Sequence, residues 1–330
     1  MQSKMVMKNR LVSKIIFLTV FTLTSAFSLT SVSQFRVVGY LRTGDDMVQN
    51  TRQLNLSQIT HLNIAFINPE TDGTFTAYPQ LDTVVRLAHQ FKVKVMLACG
   101  GGSRHVSLDT LLDAVHRPTV VQNFISFVDK YQLDGIDVDI ENDDINANYE
   151  PFVVMLAEQL HQKGKLISTA LSYNTRDKIT DRSLKAYDFV NLMAYDLKAP
   201  WKPDDPGQHS PYSMAVDQIM YWTAERHIPK QKVNIGVPFY GYGFGPSGVP
   251  DMTFKEIVSK YPGSELKDEA IMADGGTMYY NGIATIRAKT KLALKETGGI
   301  MIWQLAGDVP GKQSLLGQIN EEVKAGRAKE

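Results

Sequence analysis

The chain has 330 residues, of which 43% are hydrophobic and 21% charged, a globular composition that excludes a largely disordered protein. Its 35 Lys and Arg residues balance its 35 Asp and Glu residues, which gives no reason to expect nucleic acid or an anionic membrane as a partner. Cys99 is the single cysteine, so a disulfide framework and a multi-cysteine zinc or iron–sulfur site are also excluded.

Residues 1–33 have the pattern of a secretory signal peptide. Basic residues without any acid come first, and residues 15–26 form a short, mostly apolar run followed by small residues. The alternative is a membrane anchor, but the run is shorter than the roughly 20 apolar residues of a spanning helix, and threonines interrupt it. We expect cleavage near Ser33, with Ala26 as a second choice. The mature chain is then expected to be secreted or periplasmic in a bacterium, without stable membrane insertion.

Short β-branched runs alternate with amphipathic segments along the rest of the chain. The predicted strands are residues 36–41, 61–67, 93–99, 135–140, 166–171, 189–195, 233–240 and 299–305. Apolar residues at helical spacing predict helices at residues 81–91, 120–131, 149–163, 214–226, 283–296 and 315–325. This alternation is typical of an α/β fold, the (β/α)8 TIM barrel. The rival, an open doubly wound sheet, lacks a convincing glycine fingerprint at the first turn.

The longest interval between predicted strands, residues 241–280, separates the seventh strand from the eighth. It is glycine-rich at first and amphipathic afterwards, which predicts a small inserted subdomain within one catalytic barrel domain spanning residues 34–330. Residues 243–248 match the pattern G-x-G-x-x-G. They include a proline and follow a late strand, so a nucleotide-binding role is disfavoured.

The fourth predicted strand carries three acidic residues at two-residue spacing, Asp137, Asp139 and Glu141. Residues two apart on a strand face the same way and lie roughly 6.6 Å apart. We therefore expect these carboxyls to project together into the barrel, near the end where such barrels hold their active sites. Burial and like-charge repulsion raise the pKa of at least one of them. Glu141 is the outermost, which makes it the predicted general acid.

Three other interpretations of this acidic segment are weaker. A calcium-binding loop would need a glycine at its sixth position, where Asn142 stands. A magnesium-binding carboxylate cluster stays open as an alternative. A solvated acidic surface conflicts with the isoleucine and valine residues that alternate with the acids.

The segment D-G-I-D-V-D-I-E, residues 134–141, resembles the D-G-x-D-x-D-x-E signature of family 18 glycoside hydrolases, the chitinase family. Further segments resemble the strands of that family in the same order: VVGYL with Tyr40, HLNIAFINPETDGTF with Phe66, FVNLMAYD with Met193, Tyr195 and Asp196, NIGVPFYG with Tyr240, and GGIMIWQLAGD with Trp303. The resemblance covers almost all of residues 36–310. It implies a member of this family, of a bacterial single-domain type.

The resemblance implies a retaining, substrate-assisted hydrolysis. Glu141 would protonate the glycosidic oxygen, while the 2-acetamido oxygen of the substrate attacks the anomeric carbon. Asp139 would orient the acetamido nitrogen, and Asp137 would share a proton with Asp139. Tyr195 would donate its hydroxyl to the acetamido oxygen. No cofactor and no metal are implied, because the acetamido group takes the place of both metal and enzyme nucleophile.

The resemblance also implies a set of substrate-binding residues. Trp303 would form the apolar floor of the sugar site, and Asp196 would bind polar groups of the sugar. The full predicted set is Tyr40, Phe66, Gly100, Gly101, Met193, Asp196, Tyr240 and Trp303. Trp201, in a proline-rich loop after the sixth strand, either lines an outer sugar subsite or packs its own loop.

Three positions depart from the family pattern. Ala98 replaces a serine that often ends the third strand, Asn142 replaces an aromatic residue, and Tyr242 stands where many relatives have an arginine. These positions surround the expected cleft, and none of them is one of the three acids of the fourth strand. They therefore affect the expected substrate more than the expected activity.

The predicted function is the hydrolysis of β-1,4-linked N-acetylglucosamine polymers by a secreted monomer. The alternatives are an endo-β-N-acetylglucosaminidase acting on glycoprotein or cell-wall glycans, and a non-catalytic chitinase-like lectin. Such lectins typically lack the acid, so the intact Glu141 argues against the last alternative. The expected partner is an oligo- or polysaccharide that contains N-acetylglucosamine, and no nucleic acid is expected.

Overall fold

The computed structural model describes residues 34–44 and 46–328. The predicted signal peptide, residues 1–33, lies outside the described residues. Within the described part, eight parallel strands close into a barrel with helices around it, so the predicted fold class is confirmed. No helix in this part of the chain is both long enough and apolar enough to cross a membrane.

Each of the eight predicted barrel strands is present, with small changes at the ends. The strands in chain order are β1 (Arg36–Arg42), β2 (His61–Ala65), β3 (Lys94–Gly101), β4 (Gly135–Ile140), β5 (Leu166–Ser172), β6 (Phe189–Met193), β7 (Val233–Pro238), β8 (Tyr240–Phe244), β9 (Asp251–Thr253), β10 (Glu269–Ile271), β11 (Thr277–Tyr279) and β12 (Gly299–Trp303). The barrel order is β1-β12-β7-β6-β5-β4-β3-β2, so β12 closes the barrel against β1.

Ten α-helices occur in the described part of the chain: α1 (Met47–Gln53), α2 (Pro79–Gln90), α3 (Ser107–Leu111), α4 (Arg117–Lys130), α5 (Tyr149–Gln162), α6 (Asp181–Ala186), α7 (Tyr212–Met220), α8 (Phe254–Lys260), α9 (Ile283–Glu296) and α10 (Leu315–Arg327). The six predicted helices correspond to α2, α4, α5, α7, α9 and α10. The predicted segment 214–226 continues past α7 as a π-helical turn. The helices α1, α3 and α6 were not predicted, because segments of five to seven residues are too short to show a 3.6-residue period.

The insertion between the seventh and eighth barrel strands is a four-stranded antiparallel sheet in the order β10-β11-β8-β9. It runs from Tyr240 to Tyr279, one residue earlier at each end than the predicted 241–280. Its helix α8 begins with a capping box, in which Thr253 accepts from the backbone N–H of Glu256 and Glu256 accepts from that of Thr253. Because β8 starts two residues after β7 ends, the inserted sheet begins at the carboxyl end of the barrel.

Strand β4 separates apolar from acidic side chains by its two-residue period. Ile136, Val138 and Ile140 are buried in the core between the strands and the surrounding helices. Asp137 and Asp139 are also buried, and they occupy the alternate positions, which face the barrel interior. The strand thus directs its acids along the barrel interior toward the carboxyl end.

Candidate active site

Asp137 lies inside the barrel among hydrogen-bond donors from three other strands. The Tyr40 hydroxyl donates to Asp137 Oδ2 at 2.5 Å, the Ser168 hydroxyl donates to Oδ1, and Asn191 Nδ2 donates to Oδ1 at 3.2 Å. Burial raises the pKa of Asp137, whereas these donors oppose that rise by stabilising the carboxylate. Among the acids of β4, Asp137 therefore has the environment best suited to a negative charge.

The donors to Asp137 belong to a longer polar chain in the barrel. Asn234 Nδ2 donates to Asn191 Oδ1 at 2.9 Å, and Arg36 Nε donates to Asn234 Oδ1 at 2.9 Å. In this series of hydrogen bonds, both asparagine side chains donate in the direction of Asp137. Ser168, Asn191 and Asn234 were not singled out from the sequence. A signal was present for the two asparagines, because each is the one polar side chain of an otherwise apolar strand.

The serine that the third strand lacks is replaced by a hydroxyl from another strand. Ala98 of β3 and Ser168 of β5 are in register with Asp137 from opposite sides of β4. The hydroxyl of Ser168 reaches the Asp137 carboxylate, whereas the Ala98 side chain has no polar group. The departure at Ala98 therefore leaves Asp137 with a serine donor.

Asp139 is 3% exposed and lines the cavity at the carboxyl end of the barrel. Its Oδ1 atom has no hydrogen-bond partner among residues 34–44 and 46–328. Burial raises the pKa of Asp139 well above its usual range, and the charges of Glu141 and Asp137 raise it further. The environment of Asp139 therefore favours its protonated form.

Glu141 follows the last residue of β4 in an extended conformation and lines the same cavity. Burial, followed by the charge of Asp196, raises its pKa to about 7. The next residue, Asn142, has a left-handed φ of 55°, and its backbone carbonyl accepts a hydrogen bond from Lys178 Nζ at 2.9 Å. This turn leads the chain away from the cavity directly after Glu141.

Tyr195 lies just past the end of β6 and is 7% exposed. Its hydroxyl donates to Met301 Sδ at 3.8 Å, and a thioether is a weak acceptor. Burial, together with the charge of Asp139, raises the pKa of Tyr195 well above its usual range. The hydroxyl thus stays protonated and can donate a stronger hydrogen bond to an oxygen of a ligand.

Asp196, the next residue, takes the left-handed φ of 64°. It accepts a hydrogen bond from the Tyr240 hydroxyl and lines the cavity.

The cavity floor is aromatic. Trp303, at the end of β12, stacks on Phe66 with ring centroids 5.5 Å apart and meets the edge of Tyr40 at 5.4 Å.

The cavity has a volume of about 660 Å³, large enough for sugar units of an oligosaccharide. Seven of the predicted residues line it: Phe66, Asp139, Glu141, Met193, Tyr195, Asp196 and Trp303. Loop residues that the sequence did not single out also contribute, among them Ser103, Tyr173 and Lys202. Loops after different strands supply them, and the sequence carries no periodic signal for such positions. Trp201 lines the cavity and is 62% exposed.

The other predicted residues lie behind the cavity wall. Tyr40, Gly100, Gly101 and Tyr240, which we expected to contact substrate, are not in the cavity lining, and neither is Asp137. Both glycines have a φ of 104°, and a Cβ would lie 2.2 Å from the Asp139 carbonyl oxygen at Gly100 and 2.9 Å from the Phe66 ring at Gly101. These residues support the neighbours that line the cavity.

Within the described ranges, no group of three or more His, Cys, Asp or Glu side chains is arranged to hold a metal ion. The site combines a protonatable carboxyl, an unpaired acid oxygen, a hydroxyl with only a thioether as partner, and an aromatic floor. A carboxyl of raised pKa in such a cavity can protonate a leaving group, which is general acid catalysis. Fold and site therefore define a barrel enzyme with a candidate general acid at the carboxyl end of its strands.

Comparisons with known proteins give the family. Residues 36–308 match the model of glycosyl hydrolases family 18. The GH18 chitinase ChiB from the chitin utilization locus of Flavobacterium johnsoniae is 36% identical with a TM-score of 0.83, over 89% of this chain and 95% of that one. A chitinase from Bacteroides thetaiotaomicron is 27% identical with a TM-score of 0.77, over 88% and 97% of the two chains. The chain therefore belongs to glycosyl hydrolase family 18.

Curated relatives extend the comparison. Endochitinase 1 of Metarhizium anisopliae is 22% identical over 339 residues, 82% of this chain and 80% of that protein. A chitinase-like effector of Moniliophthora perniciosa is 27% identical over 252 residues, 65% of this chain and 57% of that protein. The chain thus spans a little more than half the length of this last relative.

Proposed function

We propose that this protein hydrolyses β-1,4-linked N-acetylglucosamine polymers, chitin or chito-oligosaccharides. The observation that carries the proposal is the presence of Glu141, Asp139 and Tyr195 in one cavity above the Trp303 ring. Glu141 has a pKa of about 7, so it can hold a proton near neutrality and still release it. The similarity to the chitinases of Flavobacterium johnsoniae and Bacteroides thetaiotaomicron supports this substrate class.

In the first step Glu141 donates its proton to the glycosidic oxygen, and the bond from that oxygen to the anomeric carbon breaks. The 2-acetamido oxygen of the same sugar forms a bond to the anomeric carbon and yields an oxazolinium ion. The reacting atoms belong to one sugar, so the attack is intramolecular and favoured by proximity. The leaving sugar carries the proton from Glu141.

Asp139 and Tyr195 hold the acetamido group during this step. The Asp139 carboxyl accepts a hydrogen bond from the acetamido N–H once its own proton passes to Asp137, and the resulting negative charge stabilises the oxazolinium ion. The hydroxyl of Tyr195 exchanges its weak partner, Met301 Sδ, for the acetamido oxygen and donates to it. The unpaired Asp139 Oδ1 atom and the weak partner of Tyr195 support these roles.

In the second step the Glu141 carboxylate takes a proton from water. The water oxygen bonds to the anomeric carbon, the bond to the acetamido oxygen breaks, and the sugar leaves with its original configuration. Two displacements at one carbon retain the anomeric configuration, so the first product is the β-anomer.

Aromatic groups at the cavity are suited to sugar rings, whose flat faces carry apolar C–H groups. Trp303 supplies the floor of the central subsite, and the exposed Trp201 supplies an outer subsite. Tyr173, 41% exposed, adds a further aromatic group to the lining. These groups support binding of an oligosaccharide rather than a single sugar.

Product analysis tests the proposal. The protein is incubated with soluble chito-oligosaccharides and, in parallel, with a high-mannose glycopeptide, and NMR of early products gives their anomeric form. We expect shorter oligosaccharides with an initial β-anomer. Cleavage of the glycopeptide alone would indicate an endo-β-N-acetylglucosaminidase, and binding without cleavage would indicate a lectin. Equal rates after deacetylation of the cleaved sugar would contradict the substrate-assisted mechanism.

We further propose that the protein is a secreted or periplasmic monomer of the bacterial single-domain type, cleaved near Ser33. The basic start and the apolar run at residues 15–26 support export. N-terminal sequencing of the exported protein is expected to begin at or near Gln34, and size-exclusion chromatography is expected to give a monomer. An intact N-terminus in a membrane fraction would contradict the cleavage.

A further inference from the structure

His209 is fully buried directly behind the cavity residue Asp196. Its ring lies between two tyrosines of β8, with its centroid 5.1 Å from that of Tyr240 and 5.1 Å from that of Tyr242. The distance from His209 Nδ1 to Asp196 Oδ1 is 3.5 Å. Within the described part of the chain, neither ring nitrogen of His209 has a hydrogen-bond partner, so Asp196 Oδ1 is the carboxylate oxygen that Nδ1 faces. The imidazole is thus aimed at Asp196 from the protein side.

The segment that carries His209 is held by a buried lysine of α9. Lys289 Nζ donates to the Ser210 carbonyl oxygen at 2.7 Å, to Ser210 Oγ at 2.6 Å and to Asn281 Oδ1 at 2.7 Å. Ser210 Oγ in turn donates to the Ala194 carbonyl oxygen at 2.6 Å. His209 is therefore fixed next to the turn that follows β6, where Tyr195 and Asp196 lie.

Asp196 connects this arrangement with the catalytic acid. Asp196 and Glu141 line the same cavity, and the negative charge of Asp196 contributes to the raised pKa of Glu141. This contribution depends on where the Asp196 carboxylate points, because 32% of its side chain is exposed and water offers an alternative environment. On the protein side, Tyr240 donates to this carboxylate, and the His209 ring lies 3.5 Å from it.

We propose that His209 is a positioning residue, which holds the Asp196 carboxylate in the cavity wall so that its charge acts on Glu141. The inference rests on the proposed function, in which Glu141 is the general acid. The titratable groups that face the His209 ring are Asp196, Tyr240, Tyr242 and, from α9, Lys289. Burial lowers the pKa of His209, so the ring is neutral where Glu141 titrates. A neutral ring with its proton on Nδ1 donates to Asp196 without cancelling its charge.

The test is a titration of the Glu141 carboxyl by carbon-13 NMR in protein labelled at glutamate side chains. The Glu141→Gln variant identifies its resonance. Without His209 the Asp196 carboxylate turns to solvent and acts less on Glu141, so His209→Leu is expected to lower the Glu141 pKa by roughly half a unit or more. Asp196→Asn removes the charge and is expected to lower it at least as much. The double variant is expected to match Asp196→Asn, because the two residues act in series.

Two further variants separate positioning from packing. His209→Gln keeps a side-chain N–H and is expected to restore part of the shift. His61→Leu removes a buried histidine near the opposite end of the barrel, where it contacts Phe189, and is expected to leave the Glu141 pKa unchanged. If His209→Leu fails to fold, His209→Phe keeps a ring between the tyrosines without ring nitrogens and carries the same expectation.

The result that overturns the inference is a folded His209→Leu or His209→Phe protein with the Glu141 pKa of the wild type. A Glu141 pKa shift in the double variant equal to the sum of the two single-variant shifts would also overturn it, because it would show that the two residues act independently. The NMR titration does not require hydrolysis. A wild-type protein that cleaves no N-acetylglucosamine oligomer would therefore contradict the proposed function while leaving the His209 result readable.

Discussion

The Ser168 hydroxyl donates a hydrogen bond to the Asp137 carboxylate across two neighbouring barrel strands, β5 and β4. Together with Tyr40 and Asn191 it gives the innermost acid of β4 three donors. Asp139, one position further out on the same face, has an oxygen without any partner in the described part of the chain. The two acids therefore differ in environment, which favours the negative charge on Asp137 and the proton on Asp139 in the free protein.

Ser168→Ala is expected to destabilise the fold without slowing hydrolysis. The loss of one donor raises the Asp137 pKa further, so the shared proton moves inward. The proposed mechanism needs the Asp139 proton to pass to Asp137, so this shift should leave kcat/KM at or above the wild-type value. The lost hydrogen bond to a charged group would lower the free energy of unfolding by about 1.5–3 kcal/mol. Kinetics and denaturant unfolding measure both effects.

Ser126→Ala is the matched control for this variant. Its hydroxyl donates to the Gln122 carbonyl oxygen on the exposed surface of α4 and has no bond to an acid of β4. We expect little change in unfolding or in kcat/KM. If Ser168→Ala behaved like this control, Ser168 would have no influence on the acid pair.

Glu141→Gln is expected to remove most of the hydrolysis. The amide cannot supply the proton, so kcat should fall by about 10²–10⁴ or more. Binding of chito-oligosaccharides should persist, because the substitution is nearly isosteric and leaves the aromatic floor intact. Calorimetric titration and initial rates on the same preparation measure both quantities. Near-wild-type turnover would refute Glu141 as the acid.

Asp139→Asn and Tyr195→Phe test the residues assigned to the acetamido group. Asp139→Asn is expected to be severely impaired, since an amide neither moves the shared proton nor stabilises positive charge. Tyr195→Phe removes one hydroxyl donor and is expected to lower kcat/KM more mildly, by about tenfold to a hundredfold for a lost hydrogen bond of about 1.5–3 kcal/mol. Equal rates for Tyr195→Phe and wild type would remove Tyr195 from the mechanism.

The pH profile follows from the raised pKa of Glu141. A general acid works in its protonated form, so kcat/KM should be sustained below this pKa and fall as the pH rises through about 7. Burial and the charge of Asp196 disfavour the ionised form, which places this limb well above the usual 4.5 of a glutamate. Rates on a soluble oligosaccharide between pH 4 and 9 measure the limb. An alkaline limb centred at an ordinary glutamate pKa would contradict the proposed environment.

Gly100→Ala is expected to disrupt the acidic strand. The Cβ would lie 2.2 Å from the Asp139 carbonyl oxygen at a backbone φ of 104°, and backbone cannot move aside as a flexible side chain can. We expect a loss of more than about 3 kcal/mol of unfolding free energy, the sum of overpacking and positive-φ strain. Thermal and denaturant unfolding of the variant measure it.

Gly164→Ala provides the comparison for Gly100→Ala. Gly164 also has a positive φ, 65°, but a Cβ there would have nothing within 4 Å. This variant should lose only the strain of a positive φ, about 1–2 kcal/mol. Similar losses in the two variants would show that the close approach of β3 to Asp139 has no energetic weight.

The sequence by itself determined the elements with a clear local period. Eight apolar runs predicted the barrel strands, and the two-residue alternation in β4 predicted which of its residues are acids of the interior. Short helices such as α3 escaped, because five residues cannot display a helical period. The resemblance to family 18 then supplied expectations for residues on other strands, beginning with Tyr195 and Trp303.

Only the tertiary structure decided which residues meet. Asp137 and Ser168 are 31 positions apart, and Arg36 and Asn234 are 198 apart, so these contacts depend on strand register and on closure of the barrel by β12. The same closure placed Tyr40 behind the cavity wall. Periodicity reports the face of a strand that each residue occupies. It carries no information about the loop or strand that a closed barrel brings against that face.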